Sequence, residues 1–264
     1  MLAPNPDNPD GTRCTYPDAM PPTTCADLLR TITSEPGRPR ITWYGDAGER
    51  VELSGAVLEN WVNKTTNLLV EEFDVGPGTR VLLDLPPHWR SVVWALATWR
   101  AGACVVTPDA ADEPAPGVTV TADPGRHAGP APLVVVSLGA LSRRYGGVLP
   151  SGAVDAASAV MTYGDVLGSV PVVDPGAPAL VDGVSAETHG ELFRLSGPVP
   201  DQVPHRALHE VEDRPLGSSL RVVLEVLGAG GSVVLVSGES ARGLRADPER
   251  RRRLIASERV TSED

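Results

Sequence analysis

The sequence predicts an α/β protein with a mostly parallel sheet flanked by helices. Residues 52–109 run as helix, Gly76-Pro77-Gly78 break, apolar strand, helix, glycine stop and second apolar strand. Continuous apolar strands on either side of a helix are the pattern of a parallel βαβ crossover buried on both faces. Apolar runs of strand length recur at 118–123, 133–138, 177–181 and 232–236, with helix-like segments interspersed. That alternation is the mark of the α/β class.

Taken in order, residues 1–22 are rich in Pro, Asp and Asn and are expected to form a flexible arm. Cys25–Ile32 has a short helical spacing ended by Pro36-Gly37, and residues 41–53 form a hairpin turning at Asp46-Ala47-Gly48. The Ser54 hydroxyl caps the next helix, in which Leu58, Trp61, Val62, Thr65, Leu68 and Leu69 share one face. RVLLDLP is then a strand. The helix that begins near His88 turns Trp89, Val92, Val93, Leu96 and Trp99 inward and ends at Gly102, a left-handed stop. CVVTPD is its partner strand. Residues 139–176 are rich in Gly, Ala and Ser, with a helix expected over Val154–Leu167, and 185–213 is expected to be polar helix or loop. Leu216–Leu227 is a helix closed by Gly228, and the last helix, PERRRRLIASER, has Pro248 in its first turn.

Composition narrows the function. At 264 residues the chain can bury a substantial core. A formal charge of −11 argues against nucleic acid or an anionic membrane as partner. Cys14, Cys25 and Cys104 are too far apart for a metal pair and too few for a disulfide framework. No apolar run reaches the roughly 18 residues of a membrane span, and no signal peptide is visible at the N-terminus, so a soluble cytoplasmic protein is expected.

Residues 52–109 carry a resemblance. ELSGAVL, FDVGPGTRVLLDLPP and WALATWRAGACVVTPD are similar in order and spacing to the "TYxEL", "LGVxPGDRVALLLPN" and "ALLALWKAGAVVVPLDP" segments of the adenylate-forming superfamily, which includes acyl-CoA synthetases, luciferase-like enzymes and peptide-synthetase adenylation domains. More loosely, DPGAPALV (174–181) resembles the strand before that family's phosphate loop, Thr188-His189 the "TH" after it, and residues 215–236 and 247–261 a later helix–strand unit and helix. The resemblance extends over nearly the whole chain but matches only the family's N-terminal half, in shortened form.

The departures matter more. The family's "TSGTTGxPK" loop approaches ATP phosphates with small residues and a lysine, whereas this chain has VDGVSAETHG there. The lysine of the sequence, Lys64, lies in an earlier helix. The family's ribose-binding aspartate, magnesium-binding glutamate and C-terminal lysine would all fall beyond residue 264. Thr162-Tyr163-Gly164-Asp165 echoes the ribose motif out of order and is read as coincidence. The resemblance therefore implies a catalytically degenerate, truncated protein, a binding or regulatory module rather than an adenylating enzyme. The alternatives are a ligase-like protein that retains nucleotide or acyl-adenylate binding and needs a partner chain, or a purely structural protein.

Other constellations are weak. His205 and His209 could share a helical face as metal ligands near Glu210, Glu212 and Asp213, but no third ligand is fixed and solvated histidines are expected. Gly228-Ala229-Gly230-Gly231-Ser232 follows a helix and opens a strand, the reverse of a dinucleotide fingerprint. Cys104 is expected in the core, and Arg250–Arg253 on a solvated face. Asp84 and Asp109, near strand ends, are the carboxylates best placed for a crevice, with turn and capping roles favoured. No catalytic or metal residue is assigned, and cofactor-binding residues are unknown. ATP, AMP and CoA stay candidate ligands, and a homodimer or another protein the expected partner. The domain is taken as 23–264, with a sub-domain boundary near 140–176.

Overall fold

The computed structural model describes residues 22–110, 114–127, 129–194 and 205–263. The elements are α1 (Cys25–Thr33), β1 (Pro39–Tyr44), β2 (Arg50–Ser54), α2 (Gly55–Phe73), β3 (Arg80–Asp84), α3 (Trp89–Arg100), β4 (Cys104–Val106), β5 (Val118–Thr121), β6 (Leu133–Val135), β7 (Val154–Asp155), α4 (Ala156–Ala159), β8 (Pro178–Val181), β9 (Ala186–Thr188), α5 (His189–Leu192), β10 (Arg206–Glu210), α6 (Leu216–Gly228), β11 (Ser232–Val236), α7 (Gly238–Ala246), α8 (Pro248–Glu258) and β12 (Ser262–Glu263). The expected arm lies outside the described residues except for Pro22, which is buried.

Among the described residues the strands form two sheets where one was expected. One is five-stranded, in the order β12-β10-β11-β1-β2, and the other seven-stranded, β7-β6-β5-β3-β4-β8-β9. Pairing is parallel except for β1–β2 and β8–β9. β6 and β8, on either side of 140–176, belong to the same sheet.

Helices α1, α2, α3 and α6 pack between the sheets. Their side chains share one core with Ile41, Trp43, Val233 and Leu235 of the first sheet and Val81, Leu83, Val105 and Val120 of the second. On the far side of the first sheet, Leu208, Val234 and Val236 pack on Ala241, Leu244 and Leu254 of α7 and α8.

Helix α3 shows why both sheets are needed. Every residue from Trp89 to Trp99 is buried, not only the apolar face expected from spacing. A helix buried all round needs cover on every side, and two of its hydroxyls bond to nearby backbone carbonyls. Ser91 Oγ donates to Pro86 O at 2.5 Å and Thr98 Oγ1 to Trp94 O at 2.9 Å. Trp99, fully buried, donates Nε1–H to Ala179 O of β8 at 2.7 Å and meets Phe193 edge-on.

Local chemistry sets the boundaries. Ser54 Oγ accepts from Val57 N at the start of α2. At Gly55 a Cβ would lie 2.2 Å from Ile32 O, so glycine lets α1 and α2 touch. The helix stops at Asp74, in the left-handed region with φ 51°, two residues before the expected Gly-Pro-Gly break. Gly102 is a left-handed stop as expected, with φ 78°. The stop after α6 is Gly230, with φ 75°, rather than Gly228.

Two expectations about local structure are corrected. Val154–Leu167 is no helix. It holds β7, the four residues of α4 and a short 3-10 turn, because Lys64 Nζ, Asn67 Nδ2 and Asn63 Nδ2 of α2 bind the carbonyls of Tyr163, Gly164 and Asp165 and hold that stretch irregular. The described part of 185–213 holds the short helix α5 but also strands β9 and β10, the latter pairing in parallel with β11. Helix α7 and strand β12 were not anticipated.

Trp99→Phe should cost about 1–3 kcal/mol by leaving Ala179 O unpartnered, and Trp99→Ala about 3–5 kcal/mol. Denaturant unfolding checks both, and a Trp99→Phe variant as stable as the parent would remove this link between α3 and β8.

Candidate functional site

Parallel sheets gather ligands beyond the carboxyl ends of their strands, where neighbouring connections diverge. In the first sheet that point lies between β1, whose chain turns to β2, and β11, whose chain leaves towards β12 on the other side. A cleft of about 550 Å³ opens there and runs across to the second sheet. Its walls include Trp43, Asp46 and Ser237 from one side and Pro87, His88 and Leu138 from the other, with Glu212, Asp213, Arg214 and Arg242 also lining it.

The cleft is held in shape by hydrogen bonds between the sheets. Glu49 Oε2 accepts from Trp43 Nε1 at 3.0 Å and Oε1 from the backbone N–H of Ala140 at 2.6 Å, tying the hairpin of one sheet to the loop after β6 of the other. Ser237 Oγ donates to Asp46 Oδ1 at 2.5 Å across the β1/β11 divergence. Glu212 is paired with Arg242 and Arg245. Asp213 sits in the left-handed region with φ 55° and is exposed.

His88 gives the cleft a fixed neutral donor. The ring is buried, packs edge-on to Trp43 with centroids 4.4 Å apart, and accepts the Arg90 backbone N–H on Nδ1 at 3.1 Å, capping α3. Burial, with the Arg90 cation adding to it, pushes its pKa down to about 3. A neutral ring that accepts on Nδ1 carries its proton on Nε2. Arg90 lies against the Trp89 ring, 4.3 Å from its centroid, and burial pulls its pKa down to about 10.

The stretch VDGVSAETHG, which the resemblance sets where a phosphate loop would lie, contains the turn between β8 and β9. Backbone N–H groups there could cradle an anion, but the chain supplies its own. Asp182 Oδ1 accepts from Val184 N at 3.0 Å and Ser185 N at 2.8 Å, and Asp109 Oδ2 accepts from Gly183 N at 3.0 Å. Arg221 of α6 locks the turn, with Nη1 on Asp182 Oδ2 at 2.7 Å, Nη2 on Ser185 Oγ at 2.6 Å and Nε on Glu187 at 2.7 Å. Burial opposes ionisation of Asp182, but the Arg221 guanidinium and the two amides outweigh it and hold the carboxyl below its usual range. Glycine at 217 is required beside it, since a Cβ would lie 2.1 Å from Asp182 Oδ2.

The remaining sequence candidates are dispersed. Asp109 is also bonded by the Thr107 hydroxyl and serves the turn just described. Asp84 ends β3 in a separate cluster, where it accepts from Thr121 Oγ1 at 3.1 Å and contacts Arg126 Nη1 at 3.3 Å and His127 Nε2 at 2.7 Å. His209 lies on strand β10, not on a helix, and meets Ser219 Oγ at 3.0 Å in the core, while His205 precedes the strand. Extended backbone between them removes the shared helical face, and among the described residues no group of three or more His, Cys, Asp or Glu could hold a metal ion. Thr188 caps α5 reciprocally with Glu191, and His189 is buried and stacked on Phe193. Cys104 is buried, and burial raises its pKa to about 11. Arg251 pairs with Glu210 and Glu263, and Arg252 and Arg253 with Glu249. His88, Glu49 and the Asp182–Arg221 pair were not singled out by sequence. The Asp182-Gly183 turn signal was available, whereas the tertiary partners were not.

No family model matches the chain. It is 33% identical over 242 residues to a protein of Mycobacterium tuberculosis described as a TIGR03089 family protein, a match covering 87% of this chain and 93% of that one. Among solved structures it is similar to an acyl-CoA synthetase of Brucella canis, with TM-score 0.66 and 18% identity over 95% of this chain and 48% of the other. An artificially fused adenylation–PCP di-domain, NpsA-ThdA of Klebsiella oxytoca, gives TM-score 0.62 and 15% identity over 86% and 42%. The chain thus spans less than half the length of these synthetases, and its fold is that of their N-terminal half. Among the described residues no helix is long and apolar enough to cross a membrane.

The low pKa of His88 has a sign. The unfolded chain, with a value near 6.5, takes up the proton before the folded one, near 3. This contribution is complete above the unfolded value and is lost as pH falls towards the folded one. Relative to His88→Asn, which keeps a capping acceptor, the parent should lose roughly 1.4 kcal/mol per pH unit once below the unfolded value. Paired denaturation curves at about pH 6 and pH 5, above most carboxylate titration, test this, and parallel pH dependence would show that His88 is not held neutral.

Proposed function

The chain belongs to the TIGR03089 family, and from that premise we propose that it is a non-adenylating binding or regulatory module built on the adenylate-forming fold. The observation that carries this is the turn after β8, whose Gly183, Val184 and Ser185 amides are taken by Asp109 and Asp182. An incoming triphosphate would meet two carboxylates and no lysine, where charge repulsion replaces the attraction that a phosphate loop supplies. Arg221, the cation at hand, is already committed to Asp182 and Glu187. Catalytic degeneracy follows in this proposal from electrostatics at one turn.

Binding falls to the cleft between the sheets. Its volume is within the range of small-molecule sites, Glu49 bridges its two sides, and His88 offers one N–H that does not titrate near neutrality. Cross-linked walls lower the ordering penalty of a ligand that fits them. AMP, acyl-adenylate analogues and CoA are the compounds to test first. Regulation would run through a second copy of this chain or another protein, and Leu141, Val148, Val166 and Val172, all exposed, support such a contact.

ATP–pyrophosphate exchange with a broad carboxylate panel is expected to match the blank, and ATP or inorganic phosphate to leave the melting temperature unchanged. A cleft ligand should raise it by mass action. Exchange above the blank would overturn the proposal. Sedimentation velocity over a concentration series should show self-association, and a monomer throughout would leave small-molecule binding as the remaining role.

A further inference from the structure

The charge in the cleft between the sheets is unevenly balanced. Among the described residues that line it, Asp46, Glu49, Glu212 and Asp213 stand against Arg214 and Arg242. Glu212 already holds Arg242 and Arg245. Asp46 and Glu49 hold neutral donors instead. Asp46 Oδ1 accepts from the Ser237 hydroxyl at 2.5 Å, and Glu49 accepts from the Trp43 indole at 3.0 Å and the Ala140 amide at 2.6 Å. Arg90 feels the charge of Glu49 but gives its Nη2 to the Gly139 carbonyl at 3.2 Å. Two carboxylates of one hairpin thus line the cleft with no ion pair to either among the described residues. A carboxylate has about four lone-pair positions, so both keep room to accept.

The placing of Glu49 is specific. A Cβ at Gly45 would lie 2.6 Å from both Glu49 Oε2 and Trp43 Nε1, so the carboxylate reaches the indole because residue 45 has no side chain. Trp43 in turn meets His88 edge-on, with centroids 4.4 Å apart. His88 is an independent sign of a ligand. Its side chain is more than nine-tenths buried, and Nδ1 accepts the Arg90 amide, which leaves the ring proton on Nε2. That N–H has no partner among the described residues, and a buried donor left unmade is costly. The small internal void that the ring also borders presents carbon surface alone. The cleft is therefore the side from which an acceptor can come.

An anion would satisfy His88 but meet two unpaired carboxylates on the other side of Trp43. A hydrocarbon would leave both unanswered. We propose that the cleft takes a small organic cation, an amine on a mainly apolar body that also carries one neutral acceptor. The ammonium group binds at Asp46 and Glu49, the acceptor takes the Nε2–H of His88, and the body lies along Trp43, Pro87 and Leu138. This assignment rests on the reading of the cleft as the binding site and names its ligand class. No bond is made or broken.

The test uses the full chain with para-methoxybenzylamine, the uncharged para-methoxybenzyl alcohol of nearly the same shape, benzylamine without the ether oxygen, and AMP. The methoxy amine should shift the methyl signals of Leu138 and Val211 and the ring ¹⁵N signal of His88 Nε2. It should bind at least about tenfold more tightly than the alcohol, the scale of a charge-assisted hydrogen bond. That preference should shrink with added salt, since Asp46 is exposed and its attraction is screened. It should fall too in Asp46→Asn, which keeps an acceptor for Ser237. Benzylamine should bind about threefold to tenfold more weakly than its methoxy relative, and AMP more weakly than either amine. A methoxy amine no tighter than its alcohol or than benzylamine, AMP tighter than the amines, or amine shifts away from Leu138 and Val211 would each overturn the assignment. Where the alcohol or AMP still moves the cleft signals, the reading of the cleft as a binding site stands without it. If none of the four compounds moves them, that reading falls as well.

Discussion

Helix α3 has no solvent face, and the rest of the structure follows from covering it. A helix of that composition on a single sheet would leave Trp89, Trp94 or Trp99 in water, at a cost of a few kcal/mol each. Two sheets, one on each side, remove that exposure. The consequence for function is geometric. Two parallel sheets facing one helical layer present their strand ends side by side, so a cleft between them is inherent in the packing. The N-terminus of α3 lies at that cleft, which is why its capping residue, His88, becomes part of the wall.

The same scaffold holds a turn after β8 whose amides are satisfied from within the chain. Turn amides must find acceptors wherever they are withdrawn from water. An enzyme that binds a phosphate there leaves them to its substrate. Here Asp182 and Asp109 take them, and Arg221 balances the charge, so the turn is satisfied with nothing bound. Such a turn is more stable in isolation and less receptive to an anion. Both properties come from one exchange of acceptor, and Gly217 marks how closely α6 has packed against it.

What the sequence made legible was periodicity and local chemistry. The hairpin, α2 with its Ser54 cap, the β3–α3–β4 unit, the Gly102 stop and the α6–β11 pair all follow from spacing within about twenty residues. Division into two sheets was hidden, because β1 pairs with β11 almost two hundred residues later, and no local pattern specifies that partner. Strand β10 was hidden for a related reason. RALHE is short and polar at both ends, and it is a strand because β11 lies beside it. At the candidate sites the carboxylates Asp84 and Asp109 could be seen as strand-end residues, but their partners could not. His127 reaches Asp84 from a loop forty-three residues on, and Arg221 reaches Asp182 from another helix.

Two buried or half-buried histidines, His88 and His127, show how little of a residue's chemistry lies in its identity. His88 is buried against an indole beside a guanidinium and accepts a backbone N–H, so it is fixed as a donor towards the cleft. His127 instead meets the buried carboxylate of Asp84 through Nε2 at 2.7 Å. The difference is set by the first bond each imidazole makes within the protein. Reading that bond is what converts a histidine in a cavity from a residue type into a statement about substrate chemistry.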